Sequence, residues 1–301
     1  MKTLQLRSCS RTTDISAGTC SRTPRRVRLF QFAAFLAVLV ALMSNGAYAQ
    51  SPQDLATAPP PQAVDPGPQF IDPYATAGPK IYITDSAGKL ATITLGTYAV
   101  HIIGPTGAAL TDIAFDPKDG QLYGITFTGF YRVNTTTGKA TFIGKLGISD
   151  ANALVFNGQG VAYTEGVNSA ELYTINMTTG KVTSVGSTKP FKSAGDLTFY
   201  AGGLVLSGYY QSSLENNTPD TLVLLNPKTG AVLGYSELKI ANLFGIVCTG
   251  KDLLFGFAGT NVYQLFPGQT DIDKRAVLLK DLSGTGLTKI YGSAYNGYFL
   301  Y

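Results

Sequence analysis

The chain has 301 residues, with 23 Lys and Arg against 19 Asp and Glu, which gives a formal charge of +4. Seven of the basic residues but only one acid lie in the first 28 positions, so the remainder holds 16 basic and 18 acidic residues. Because nucleic-acid binding needs a basic surface, this slightly acidic remainder excludes it. One His and three Cys exclude a His-rich metal site and a Cys-based zinc cluster, and the 45% hydrophobic content excludes general disorder.

Residues 1–49 have the three parts of a signal peptide. Three arginines, the last at Arg28, precede an apolar stretch of fifteen residues at 29–43, and Ala47-Tyr48-Ala49 offers small residues for cleavage after Ala49. A membrane-anchoring helix is the alternative, but such a stretch, at about 1.5 Å a residue, is shorter than a hydrocarbon core of about 30 Å. We therefore expect a secreted or periplasmic protein with no stable membrane span after cleavage. The general secretory and twin-arginine routes both remain open.

Residues 50–79 are rich in proline, including Pro59-Pro60-Pro61, and predict an extended linker before a folded domain at 80–301. Cleavage of the signal peptide would leave Cys248 as the one cysteine of the mature chain. We expect a buried structural thiol there, and a domain held together by its own hydrophobic core.

The folded region repeats a pattern of apolar strand, tight turn and apolar strand. Equivalent strands begin 39 to 49 residues apart, near Ile81, Leu122, Val161, Leu204, Leu253 and Tyr298. Between them lie hairpins with a shared Asn-x-x-Thr-Gly turn, at 134–138, 176–180 and 226–230, where the Asn side chain bonds the backbone and the Gly takes a positive φ. A repeat of about forty residues with four short strands is typical of a β-propeller blade.

The repeats predict an all-β fold, a β-propeller of five four-stranded blades. Residues 81–104 provide the last three strands of one blade, and residues 290–296 can supply its first strand, which would join the two ends of the domain. The segments 81–85 and 298–301 both match the second strand of a blade, so one of them is surplus. A β-sandwich or an open β-meander is the alternative fold, but the turn motif at a fixed offset favours the propeller.

The run from Leu110-Thr-Asp-Ile-Ala-Phe-Asp-Pro to Tyr131-Arg-Val-Asn-Thr-Thr-Thr-Gly-Lys resembles the exported bacterial propellers of the broad lactonase-like and quinoprotein-like superfamilies. The resemblance covers about residues 80–301. It implies the propeller architecture and leaves the activity open, because its motifs are turns and packing positions and its members include both enzymes and binding proteins.

By analogy with such propellers, the strands that start at Asp112 and Asp196 would line the central channel. The resemblance implies that one channel mouth gathers Asp85, Asp112, Asp150, Glu165, Asp196, Tyr209 and Tyr210. Acidic side chains there could hold Ca²⁺ or another divalent metal, with Asp112 and Asp196 as the candidate ligands. In the alternative interpretation, these two aspartates accept backbone N–H groups at the strand starts. The other blades carry Ala153, Gly245 and Gly292 at the matching position, which favours this alternative.

We expect a non-catalytic binding or interaction module that uses one face of the ring, without a cofactor and as a monomer. Tyr209 and Tyr210 precede an amide-rich loop that would suit contact with a protein, peptide or glycan. The alternative function is a metal-dependent, lactonase-like hydrolase that uses the acids at the channel mouth. No motif in the sequence places those acids for catalysis.

Overall fold

The structure, a computed structural model, describes residues 77–213, 218–250 and 253–297. The predicted signal peptide, nearly all of the predicted linker and the predicted strand from Tyr298 lie outside the described residues. In the part of the chain that the structure describes, no helix is long and apolar enough to cross a membrane.

Twenty strands form five antiparallel sheets of four strands each, and these sheets are the blades of a β-propeller. In chain order the strands are β1 (Lys80–Asp85), β2 (Lys89–Thr94), β3 (Ala99–Pro105), β4 (Asp112–Phe115), β5 (Leu122–Ile125), β6 (Gly129–Val133), β7 (Ala140–Lys145), β8 (Ala151–Phe156), β9 (Ala162–Gly166), β10 (Glu171–Ile175), β11 (Val182–Ser187), β12 (Phe191–Tyr200), β13 (Gly203–Tyr210), β14 (Thr221–Leu225), β15 (Val232–Glu237), β16 (Leu243–Thr249), β17 (Leu253–Ala258), β18 (Asn261–Leu265), β19 (Ala276–Asp281) and β20 (Ile290–Tyr295). One turn of 3₁₀ helix, Ile272–Lys274, precedes β19.

We number the blades by their inner strands. Blade 1 contains β4 to β7, blade 2 contains β8 to β11, blade 3 contains β12 to β15, and blade 4 contains β16 to β19. Blade 5 combines β20, as its inner strand, with β1, β2 and β3. The predicted five-bladed propeller is therefore confirmed.

The ring closes through the pairing of β1 with β20. Ile81 pairs with Tyr295 and Thr84 pairs with Gly292 in an antiparallel ladder. The first segment of the domain, rather than residues 298–301, thus provides the second strand of blade 5.

Burial distinguishes the strands inside a sheet from the outermost strand. The strand β14 is buried along its whole length, because the faces of its sheet pack against two neighbouring blades. The outermost strand β7 has mostly exposed or half-buried residues. Apolar clusters fill the spaces between blades; one of them, for example, joins Ile125 and Phe130 of blade 1 to Leu154 and Phe156 of blade 2.

The Asn-x-x-Thr-Gly turns have the geometry that the sequence predicts. In blade 1 the Asn134 side-chain oxygen accepts hydrogen bonds from the N–H groups of Thr136 at 2.9 Å and Thr137 at 2.8 Å, and Gly138 has a φ of 82°. The blade 2 turn repeats this arrangement around Asn176.

Each of these turns also packs against a glycine on the outer strand of the preceding blade. Gly104 lies against the blade 1 turn, Gly144 against the blade 2 turn and Gly186 against the blade 3 turn. A Cβ on Gly144 would lie 1.9 Å from the carbonyl oxygen of Thr179, so backbone meets backbone at this contact. The glycine of one repeat and the turn of the next therefore lock adjacent blades together.

We predict that Gly144→Ala lowers the free energy of unfolding by about 2 kcal/mol, because the added Cβ must push two backbones apart. Gly268→Ala is the control, since nothing lies within 4 Å of a Cβ there and its φ is not positive. The control should stay within about 0.5 kcal/mol of wild type in urea unfolding. Equal losses in the two variants would contradict the role of this contact.

Candidate functional site

The central channel contains one residue from each inner strand at the same level. These residues are Asp112, Ala153, Asp196, Gly245 and Gly292, and both aspartates are completely buried. A Cβ on Gly292 would lie 2.5 Å from the Asp112 Oδ1 atom. Small residues in three blades therefore leave the space that the two carboxyls fill.

The two carboxyls accept hydrogen bonds from the inner strands of other blades. Asp112 Oδ1 accepts from the N–H of Ile113 at 2.7 Å, and its Oδ2 accepts from the N–H of Leu154 in blade 2 at 2.5 Å. Asp196 Oδ2 accepts from the N–H of Ile246 in blade 4 at 2.7 Å and from the Ser293 hydroxyl in blade 5 at 3.0 Å. We call these two residues the aspartate pair.

Burial raises the pKa of both members of the aspartate pair well above its usual value. The negative charge of Asp196 raises the pKa of Asp112 further, whereas the hydrogen bonds from Ile246 and Ser293 lower the pKa of Asp196. Within the described residues, the Asp196 Oδ1 atom is buried without a hydrogen-bond partner. Burial and like charge together favour a proton on the aspartate pair.

The aspartate pair separates two openings of unequal size. On the side where the inner strands begin, a funnel of about 660 Å³ opens to solvent, and we call it the wide mouth. The residues one position before the channel level all line it, and they are Thr111, Asn152, Gly195, Phe244 and Tyr291. On the opposite side, the narrow mouth has a volume of about 100 Å³ and is lined by residues one position after that level, including Leu154 and Ser293.

Aromatic side chains form much of the wall of the wide mouth. Phe127, in the loop between β5 and β6, is half exposed and lines the funnel. Phe244 and Tyr291 meet edge to face, with ring centroids 5.7 Å apart. The Nζ atom of Lys289 lies 5.5 Å from the centroid of the Phe244 ring, so a positive charge stands at the rim.

The structure places the other predicted acids around the wide-mouth end of the ring. Asp85 is buried, lines the wide mouth and accepts from the N–H groups of Lys89 at 2.9 Å and Thr288 at 3.1 Å. Asp150 is half buried and accepts from the N–H of Asn168 at 3.0 Å. Both carboxylates therefore hold loop backbone in place.

Glu165 lies away from the aspartate pair, at the end of β9. Its Oε1 accepts from the Thr188 hydroxyl at 2.7 Å, whereas Oε2 is buried with no partner among the described residues. Burial raises the pKa of this carboxyl to about 8, and the charges of Glu171 and Asp150 act in the same direction. At neutral pH Glu165 is therefore mostly protonated.

The two predicted tyrosines occupy different surroundings. The Tyr209 hydroxyl donates to the Val167 carbonyl at 2.9 Å, and Val167 lines the wide mouth. The Tyr210 ring packs against Phe191 at a centroid distance of 4.6 Å and against Tyr235 at 5.9 Å. Ligand contact by either residue stays a prediction.

The sequence interpretation did not identify Phe127, Phe244, Tyr291 and Lys289 as site residues. A signal for two of them exists, because Phe244 and Tyr291 each precede the channel glycine of their blade. The position before the channel residue in each repeat therefore identifies Phe244 and Tyr291 from the sequence. Within the described residues, no group of three or more His, Cys, Asp or Glu side chains is placed to hold a metal ion.

Comparison with known sequences identifies the repeat. The family described as a repeat of unknown function (DUF6923) matches residues 84–266. The chain belongs to this family. The part that matches DUF6923 begins in β1 and ends just after β18, so it contains blades 1 to 3 completely. A search of curated proteins finds no match.

Solved structures share the arrangement of the DUF6923 chain only distantly. The nidogen/laminin complex has 14% identity and a TM-score of 0.47, with 71% of this chain and 97% of that chain covered. A symmetrical protein described for its de novo evolutionary emergence has 20% identity and a TM-score of 0.43, with 71% of this chain and 92% of that chain covered. Virginiamycin B lyase from Staphylococcus aureus has 14% identity and a TM-score of 0.40, with 71% and 69% covered. At these values the similarities carry no argument about function.

We predict that Glu165 makes the domain less stable as the pH rises. Its pKa is about 8 in the folded state and near 4.5 when unfolded, so between these values only the folded state keeps the proton. The free energy of unfolding then falls with rising pH, by at most about 1.4 kcal/mol per pH unit from this group. Urea unfolding at several pH values between about 5 and 8 should show that the free energy of unfolding falls less steeply with pH in Glu165→Gln than in wild type.

Glu237→Gln is the control for this experiment, because Glu237 is an exposed acid on the outer strand β15 and does not contribute to the raised pKa of Glu165. Its free energy of unfolding should fall with pH as steeply as that of wild type. A Glu165→Gln variant with the full wild-type decline would show that the buried carboxyl is not the source.

Proposed function

We propose that the mature protein is an exported, non-catalytic binding module that holds a ligand in the wide mouth of the ring. The observation that carries the proposal is the funnel of about 660 Å³, which has an aromatic wall and reaches the residues directly before the channel level in all five blades. Ligand sites are commonly concave, of this volume, and apolar with a few polar groups.

The hydrogen bonds of the acids support binding over catalysis. Three of the four oxygens of the aspartate pair accept backbone or hydroxyl hydrogens from the ring itself. Asp85, the acid that lines the wide mouth, is likewise bonded to three backbone N–H groups. Acids engaged in this way hold strands and loops in position. The fourth oxygen, Asp196 Oδ1, has no partner among the described residues but is completely buried, whereas a general base needs an oxygen that a substrate can reach.

The binding proposal predicts that a naphthalene probe enters the wide mouth. Calorimetric titration would use 2-naphthoate, 2-naphthylmethanol and 2-naphthylmethylammonium, which share an apolar body and differ in charge. At least one should bind with one-to-one stoichiometry. Ala109→Trp should weaken that binding at least about tenfold, because Ala109 is an exposed residue of the funnel wall and the indole fills the cavity.

Gln159→Trp provides the matched control, since Gln159 is exposed on the β8–β9 turn at the narrow-mouth end. It should bind the probe like wild type. The proposal is contradicted if no probe binds, or if Ala109→Trp binds as well as the control.

Export is supported by the signal-peptide pattern and by the position of the domain ends. The segment Gly78–Pro79, which leads into β1, pairs with Leu95, and the start of β1 lies beside Tyr295 at the narrow mouth. The described part of the domain therefore begins on the side away from the wide mouth.

The export proposal predicts that the mature protein begins at Gln50. N-terminal sequencing of the exported fraction would identify this residue. Ala49→Arg should prevent cleavage, because the cleavage position requires a small residue, and Ala58→Arg in the linker should not. Recovery of the full-length chain in the cell interior for wild type would contradict export.

A further inference from the structure

The electrostatic character of the wide mouth differs from the acidic balance of the chain after residue 28, which holds 16 basic and 18 acidic residues. The buried Glu165 is mostly protonated at neutral pH, and burial also raises the pKa of Asp220 to about 7. Asp85 and Asp150 direct their carboxylates at backbone N–H groups of nearby loops. Most of the negative charge expected at this end of the ring is therefore protonated or matched by N–H dipoles.

The positive charge at the rim is not matched in this way. The Lys289 side chain is exposed, and within the described residues it forms no salt bridge. Its ammonium group is held over the face of Phe244, and Phe244 lines the wide mouth. Lys289 also borders a shallower depression of about 310 Å³ next to blade 4, so its charge stands on the ridge between the two cavities.

Apart from Asp85, the wall below this ammonium group is uncharged and largely apolar. Phe127, Phe244 and Tyr291 supply rings, and the remaining lining residues are mostly Ala, Gly and Thr. Asp85, the one charged residue of the lining, uses its carboxylate for backbone hydrogen bonds. An apolar body fits such a wall, and a negative group at its outer end would meet Lys289.

We propose, building on the binding function above, that the wide mouth selects an amphipathic organic anion. The apolar or aromatic body would lie against Phe127, Phe244 and Tyr291, and its carboxylate would lie at the rim beside Lys289. The aromatic walls provide most of the affinity through burial of apolar surface, and the ammonium group provides the preference for charge.

The three naphthalene probes test this inference directly because they share one apolar body and carry polar groups of different charge. We expect 2-naphthoate to bind about fivefold more tightly than 2-naphthylmethanol, the effect of one partly exposed ion pair, and 2-naphthylmethylammonium to bind most weakly. The preference for 2-naphthoate should shrink at high ionic strength, because salt screens exposed charges. Lys289→Gln should reduce the affinity for 2-naphthoate to that for the alcohol and leave the alcohol unchanged.

Lys228→Gln is the matched control, because Lys228 is an exposed lysine on the outer turn of blade 3 and its loss changes the net charge equally. It should keep the preference for 2-naphthoate. Equal binding of the alcohol and the anion, or equal effects of the two lysine substitutions, would overturn the anion selectivity while leaving the binding function in place. Absence of binding by all three probes would overturn both.

Discussion

The fold depends on how the inner edges of five strands are satisfied where they meet. An inner strand has no further strand to pair with, so N–H groups that face the channel need acceptors or water. The aspartate pair supplies acceptors to blades 2, 4 and 5 from side chains that belong to blades 1 and 3. These bonds join blade 1 to blade 2, and blade 3 to blades 4 and 5, at one level of the channel. Because the two carboxyls fill the channel at this level, the other three channel positions need small residues.

A second set of contacts holds the blades together at the outside of the ring. There the glycine of one outer strand meets the Thr-Gly turn of the next blade, backbone to backbone. The inner contact uses carboxyl groups from two blades, whereas the outer contact recurs from repeat to repeat. The apolar faces of neighbouring blades pack between these two contacts. Each blade is therefore held to its neighbours at the inside, in the middle and at the outside of the ring. The wide mouth is a consequence of this arrangement, because the channel is filled at one level and open on the side where the strands begin.

The sequence predicts the architecture well because the features that define it are local and repeated. The turn signature at Asn134 and its counterparts marks each blade, and the spacing of the repeats gives the blade number. The resemblance to known propellers implies the channel position of Asp112 and Asp196, and alignment of the repeats gives the matching residues of the other blades. Burial of Glu165 does not follow, since it depends on Thr188 and on packing between blades 2 and 3. The wall of the wide mouth was missed because Phe127, Phe244 and Lys289 come from different kinds of segment, and only the ring brings them together.

The pairing of β1 with β20 imposes an order on the assembly of the molecule. Asp85 at the end of β1 receives a hydrogen bond from Thr288, 203 residues later in the chain. During synthesis, β1 to β3 therefore emerge as a sheet with an exposed inner edge that has no partner until β20 is made. Such an edge invites pairing with other chains until β20 covers it, so the full ring forms only after the last blade strand has been made.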